Sequence, residues 1–333
     1  MNMSPLKVGQ EFLVTIKRIG INGEGIGYYK KQAVFIPGTL VGEEVVATCT
    51  RVAGGYAEAE LVRVKRKSKH RVQPACEVYG QCGGCQLQHM SYQEQLRIKR
   101  DAVSQAIERY TNLDPEECDI RPTIGMKDPY NYRNRAQMPV GYDEDGVMVG
   151  FYSMNSRELV NVTDCDVQYE EINTVINHAV DLLDDYKVFA YAPKTKKGTA
   201  RYIVVRRGFK TGEVQVTFVF ANNEFRKMNA LAKDLMKYCP DVKSVYLNIN
   251  NEDTHEIFGK EMKHIAGEKF ISDELGRFKF NLSPRAFYQL NPEQTIKLYN
   301  QVKYAAALKG NEKVVDAYCG VGTIGQWVAD KAS

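Results

Sequence analysis

Three cysteines crowd into the stretch CEVYGQCGGCQLQHM, residues 76–90, and Cys82 and Cys85 are separated only by Gly83 and Gly84. A loop that collects thiols this closely is organised by something that binds thiolates, and a tetrahedral zinc or a cubane iron–sulfur cluster each takes four ligands. Cys76, Cys82 and Cys85 supply three. The fourth comes from Cys49, Cys118, Cys165, Cys239 or Cys319, with His70 and His89 as nitrogen alternatives for zinc. Cys165 stands out because NVTDCDVQ reads as a polar turn, whereas Cys49 falls in a strand pattern and Cys239 at a helix end, where a buried thiol serves as a small hydrophobe. Zinc ribbons bring two CxxC pairs, and only one is present, with an outlying cysteine before it. Gly83 and Gly84 let backbone close around a bulky inorganic core and turn amides toward its sulfurs, so the pattern favours iron–sulfur over zinc.

A chain of 333 residues, 44% of them hydrophobic, can bury two or three cores. It contains no apolar run of membrane-spanning length, and MNMSPLKVGQEF lacks a signal-peptide core. The reading is a cytoplasmic protein without a membrane partner, whose eight cysteines are not a disulfide scaffold. Nothing calls for an obligate protein partner, and a monomer is expected. Residues 1–71 carry 12 Lys/Arg against 6 Asp/Glu, while the rest carry 33 against 35. Basicity is therefore local and marks the N-terminal segment as the polyanion-binding part.

From Val8 to Lys67, short runs of Val, Ile, Phe and Tyr are broken by glycines, the pattern of a small β-barrel, with Gly54-Gly55 turning one hairpin. In LVRVKRKSKHR, the cations Arg63, Lys65, Arg66, Lys67, Lys69 and Arg71 crowd together in a way that phosphates would relieve. Ser91 and Glu94 form a capping-box pattern ahead of a helix over 91–110, whose Leu96, Val103, Ile107 and Tyr110 make an apolar stripe read as core. Residues 120–285 are read mostly as paired strands, with turns at 141–146 and 210–213, followed by a helix carrying Phe225, Met228, Leu231, Ala232 and Leu235 on one face. PYNYRNRAQMPVGY interleaves Tyr130, Tyr132 and Tyr142 with Arg133 and Arg135, a combination suited to stacking on bases and meeting phosphates.

Residues 313–325, KVVDAYCGVGTIG, read as an apolar strand followed by a glycine loop entering a helix. Gly320, Gly322 and Gly325 satisfy GxGxxG, but a dinucleotide fold needs further strands after that loop, and eight residues follow it.

The segment GEGIGYYKKQAVFIPGTLVGEEV resembles a TRAM domain, an OB-like RNA-binding barrel. The cysteine stretch, YRNRAQMPVG, LSPRAFYQLNPEQ and DAYCGVGTIG together resemble, in that order, the RNA uracil-C5 (m5U) methyltransferase family. The resemblance implies that Cys76, Cys82, Cys85 and Cys165 are the metal ligands of one [4Fe-4S] cluster. It also implies that Gln289 and Tyr318 contact S-adenosyl-L-methionine. Asp316 then supports the loop, while Asn291 before Pro292 is more simply a helix N-cap. TRAM domain and cluster together point to the 23S rRNA branch. The expected fold class is α/β multi-domain: a TRAM/OB-like β-barrel over 1–70, a central β-rich iron–sulfur and RNA-binding domain over 71–283, and the start of a Rossmann-like SAM-dependent methyltransferase domain over 284–333. The helix over 91–110 is a candidate to pack on the last of these.

Uracil C5 is too weak a nucleophile to attack a methyl sulfonium, so a thiolate must first add at C6 and a base must later remove the C5 proton. The family places that cysteine after a DPP-type motif and the base, a glutamate, further on. Neither motif occurs in residues 1–333, and Cys319 lies in the cofactor loop. The expectation is a C-terminally truncated, inactive chain with no catalytic residue of its own. Two other readings are a radical-SAM methylthiotransferase, which wants CxxxCxxC rather than the spacing here, and a noncatalytic iron–sulfur RNA-binding protein.

Overall fold

The computed structural model describes residues 6–332 apart from 145 and 155, and these fall into two compact units, one of 1–125 with 153–156, the other of 126–152 with 157–333.

In the first unit, β1 (Glu11–Ile19), β2 (Gly25–Tyr29), β3 (Gln32–Ile36), β4 (Glu44–Val52) and β5 (Tyr56–Arg66) close a barrel in the order β1-β2-β3-β5-β4. Alternation decides which residues face inward. Phe12, Val14 and Ile16 of β1, Val34 and Ile36 of β3, Val45, Ala47 and Cys49 of β4, and Ala57 and Ala59 of β5 form one core. Gly25 is required by close approach, because a Cβ there would sit 1.9 Å from Thr39 Oγ1. β4 and β5 pair antiparallel around Gly54-Gly55, as the turn signal predicts.

After the barrel, residues 72–90 run as linked turns, with Val72 N–H donating to His89 O at 3.0 Å and Cys82 N–H to Val78 O at 3.0 Å. The helix α1 (Tyr92–Tyr110) follows. Two expectations about it fail. Ser91 makes no side-chain capping bond, and its N–H donates to His70 O at 2.8 Å while Glu94 turns to Arg97, at 2.5 and 2.8 Å, so neither half of the box forms. The apolar stripe is not core: Val103 is 51% and Tyr110 78% exposed, and the one buried residue of the helix is Glu94. Periodicity reveals a face; it does not supply the surface that would cover it.

The second unit is built on a seven-stranded sheet: β6 (Arg135–Asp143), β7 (Gly146–Tyr152), β8 (Leu159–Asn161), β9 (Ala200–Arg207), β10 (Val214–Phe220), β11 (Val242–Ile249) and β12 (Glu261–Gly267), ordered β12-β11-β10-β9-β6-β7-β8. β10 and β11 are parallel, joined through a helix, and the other pairs are antiparallel. Central β10, VQVTFVF, is buried at every position. The helices α2 (Glu170–Asp185) and α3 (Met228–Tyr238) pack on the sheet through Ile172, Ile176, Leu183, Leu231 and Leu235. The hairpin of β13 (Ile271–Leu275) and β14 (Phe278–Leu282) shares a second core with α4 (Pro292–Ala306), including Tyr288 and Tyr299, against which Trp327 of α5 (Thr323–Val328) also packs. Asn291 caps α4 as expected, its side chain accepting from Gln294 N–H at 3.1 Å ahead of Pro292. Residues 313–316, predicted as a strand ending at Asp316, are irregular, and Val315 is 87% exposed. A strand needs a neighbour to take its N–H and C=O groups, and this segment pairs with none among the described residues.

Candidate functional site

The cysteine loop is held from below by a buried ion pair. Arg71 donates from Nε and Nη2 to the two carboxylate oxygens of Glu43, at 2.6 Å each, and from Nη2 to Gly38 O at 2.7 Å. The Glu43 side chain is wholly buried. Burial alone pushes its carboxyl up, but Arg71 and the N–H groups of Leu40 and Ser68 outweigh that and hold it below the usual carboxylate range. Arg71 is therefore a structural anchor, which corrects its place among the phosphate-seeking cations; Arg63, Lys65, Arg66, Lys67 and Lys69 are exposed. Next to the pair lies His89, 3% exposed, its Nδ1 2.6 Å from the Tyr79 hydroxyl. Burial, then the Arg71 charge, lowers its pKa to about 4, so it stays neutral.

Cys76, Cys82 and Cys85 are half-buried on this loop, and Gly84 N–H donates to Cys82 Sγ at 3.3 Å. Burial raises the Cys82 thiol, and Cys76 adds to the effect. Cys165 lies half-buried in the turn before α2, its carbonyl accepting from Gln168 N–H at 2.9 Å and Asn173 Nδ2 at 3.3 Å. Cys49 and Cys239 are buried hydrophobes, as their positions imply. Among the described residues no group of three His, Cys, Asp or Glu side chains converges as a ready metal site. Cys76, Cys82 and Cys85 share one loop of the first unit and Cys165 belongs to the second; thiolates gathered without an ion repel one another, and such sites rarely form ahead of the metal.

In the second unit two motifs distant in sequence are laced together. Asn134, 1% exposed, donates its backbone N–H to Leu290 O at 3.0 Å and its Nδ2 to Gln289 O at 3.0 Å, while its carbonyl accepts from Arg207 N–H at 2.9 Å. From β9, Arg206 donates to Ser283 O at 3.1 Å and Ala286 O at 2.5 Å. The loop SPRAFYQLN is thereby pinned at four carbonyls to one end of the adjacent central strands β6 and β9. Arg206 is 3% exposed and stands directly across the ladder from Arg135; burial, then that neighbouring charge, lowers its pKa to about 9. Arg135 and Arg285 lie over the Phe258 ring, at 5.7 and 5.6 Å. Of the aromatic–arginine stretch, Tyr142 is tied to the fold, its hydroxyl accepting from Ala190 N–H at 3.1 Å. Asn134 and Arg206 escaped sequence reasoning; the available signal was the pair of arginines closing the apolar strand run IVV at 203–205.

The glycine loop enters α5 with Gly320 and Gly322 at positive φ, 59° and 73°. Asp316 Oδ2 accepts from Gly325 N–H at 2.8 Å, the support expected of it. Tyr318 is fully exposed at φ 59°, a left-handed conformation that favours glycine, and Cys319 is also exposed. Gln289 is half-buried beside Asn134.

The TRAM domain family matches residues 5–62. A Bacillus cereus protein described as an "uncharacterized RNA methyltransferase" is 49% identical over 330 residues, covering 99% of this chain and 72% of that protein. The chain belongs to this RNA methyltransferase family. A relative from Halalkalibacterium halodurans, described in the same words, is 48% identical over 327 residues, covering 98% of the chain and 71% of its own length. Among solved structures, the Pyrococcus abyssi tRNA (uracil-54, C5)-methyltransferase in complex with S-adenosyl-L-homocysteine shares the fold, with a TM-score of 0.72 at 24% identity over 95% of this chain and 70% of that one. Among the described residues, no helix of this RNA methyltransferase is long and apolar enough to cross a membrane.

Proposed function

We propose that the chain serves S-adenosyl-L-methionine-dependent methylation of uracil C5 in 23S rRNA. The observation that carries this reading is the lacing of YRNRAQMPVG to LSPRAFYQLN through Asn134 and Arg206, which holds Gln289 at the ends of the central strands β6 and β9. S-adenosyl-L-methionine supplies an electrophilic methyl group. Gln289 and Tyr318 contact the cofactor, one held by the sheet and the other carried by the glycine loop that Asp316 braces. The exposed cations from Arg63 to Lys69 hold the RNA backbone.

The cysteine loop suits a [4Fe-4S] cluster in its donor chemistry: three half-buried thiols, with an amide already donating to Cys82 Sγ. Cys76, Cys82, Cys85 and Cys165 are assigned as its ligands. Addition at C6 and removal of the C5 proton are not given to any residue here, because the DPP-type motif that carries the thiolate in the family is absent from residues 1–333. The chain by itself is therefore expected to bind RNA and transfer no methyl group.

The test is transfer of tritiated methyl from the cofactor to unmodified 23S rRNA and to tRNA, by this chain and by the full-length Bacillus cereus relative, with nucleoside analysis. The relative should yield 5-methyluridine in 23S rRNA, and this chain none. Methylation of tRNA alone would reassign the substrate. 5-Methyluridine made by this chain would place the nucleophile within it, with Cys319 the first candidate.

A further inference from the structure

Within the first unit, a groove of about 1170 Å³ runs between the outer face of the barrel and the cysteine loop. Its barrel wall carries Phe35 of β3 and Tyr56 of β5, two rings 5.4 Å apart in an edge-to-face pair. Both point away from the core: their neighbours Val34, Ile36 and Ala57 are wholly buried inside the barrel, while Phe35 and Tyr56 stay half-exposed. The pair holds β3 to β5 across the outside of the barrel and still leaves ring surface open to solvent. The Arg51 guanidinium lies 5.6 Å above the Tyr56 ring and bonds to its hydroxyl at 2.9 Å, steadying the ring and its rim. Tyr79 forms part of the opposite wall, and its hydroxyl is fixed by His89.

Charge decides what can enter. Glu24 and Glu60 line the groove beside Glu58, whose charge is paired with Arg51, so this lining disfavours a phosphate. The exposed cations Arg63, Lys65 and Arg66 lie further along β5, the same strand that carries Tyr56, Glu58 and Glu60. One strand thus presents aromatic and acidic positions at one end and basic positions at the other. We propose that this groove receives an unpaired RNA base, seated in the right angle of the Phe35–Tyr56 pair with its face on one ring and its edge against the other, while the backbone of the same strand follows the cations at the far end of β5. The inference rests on the reading of the chain as an RNA-binding member of its family and adds a base-stacking site to it.

Stacking and phosphate contact separate by their salt dependence and by their need for a base. Binding of two fluorescein-labelled single-stranded decamers, oligo(A) and its abasic counterpart, is measured by anisotropy across a salt series. Tyr56→Ala and Phe35→Ala should weaken oligo(A) binding roughly 5- to 150-fold each, the range for loss of one stacked base, without changing the salt slope or the affinity for abasic RNA. Tyr56→Phe keeps the ring and should bind as the wild type does. Lys65→Ala with Lys67→Ala should do the reverse, lowering the slope for both probes. Circular dichroism melts establish that each variant is folded. Wild-type affinity for oligo(A) in both alanine variants overturns the groove assignment alone. A wild-type chain that binds neither probe overturns it together with the RNA reading.

Discussion

At the scale of single residues, the side chains that organise the site are polar groups buried with all their partners in place. Asn134 holds backbone on both sides of itself, so Asn134→Ala strands the Gln289 carbonyl and should cost about 1–3 kcal/mol in urea unfolding. If the SPRAFYQLN loop depends on it, limited proteolysis should cut near Gln289 in the variant first. Unchanged stability would mean that the lacing is incidental. Arg71 and Glu43 form a second such unit. Removing Arg71 leaves a carboxylate buried without its counter-charge, and Arg71→Ala should destabilise the barrel by about 3–5 kcal/mol at neutral pH. Because the Glu43 pKa is lowered on folding, its contribution is present above about 4.5, the ordinary carboxylate value, and is lost as the pH falls through the depressed folded value. The wild type should therefore lose stability on acidification below 4.5, and Arg71→Ala less so. Parallel pH–stability curves would contradict the pairing argument.

Elements carry the binding chemistry, and the end of β5 is the clearest case. Five cations are exposed from Arg63 to Lys69, while Arg71, close by in sequence, is consumed by Glu43. Replacing Lys65, Arg66, Lys67 and Lys69 by alanine should flatten the salt dependence of RNA binding by roughly one unit of slope for each phosphate left without its cation. An unchanged slope would reduce the run to a linker. α1 makes the opposite point. Its stripe reads as core by period, yet Val103 and Tyr110 are exposed, so Val103→Ser should stay within about 0.5 kcal/mol of wild type in a thermal melt. A large loss would show that the face is covered after all.

For the molecule as a whole, the proposed cluster would draw its ligands from positions as far apart as Cys76 and Cys165. Anaerobically purified protein should be brown and hold about four irons per chain. Stoichiometric zinc without iron would remove the cluster, and a Cys165→Ser variant that keeps full iron content would remove Cys165 from its ligands. The barrel, the strand pairs of the sheet, the capped helix after Asn291 and the buried roles of Cys49 and Cys239 were legible in the sequence. Each is written in neighbouring residues, as a period of two, a turn dipeptide, an N-cap with proline or a thiol in an apolar run. The strand expected at 313–316 and the core stripe of α1 were misread because a pattern shows a face or an extended run and does not supply the partner that would pair with it. The lacing of Gln289 to Asn134 spans 155 positions, and the grip of Arg206 on Ser283 and Ala286 spans 77 and 80. No local period encodes such bonds. They exist only once the sheet has set β6 beside β9 and brought the loop to the ends of those strands, so the sequence by itself determined the elements and the family's motifs, and the tertiary structure alone decided which polar side chains hold those motifs together.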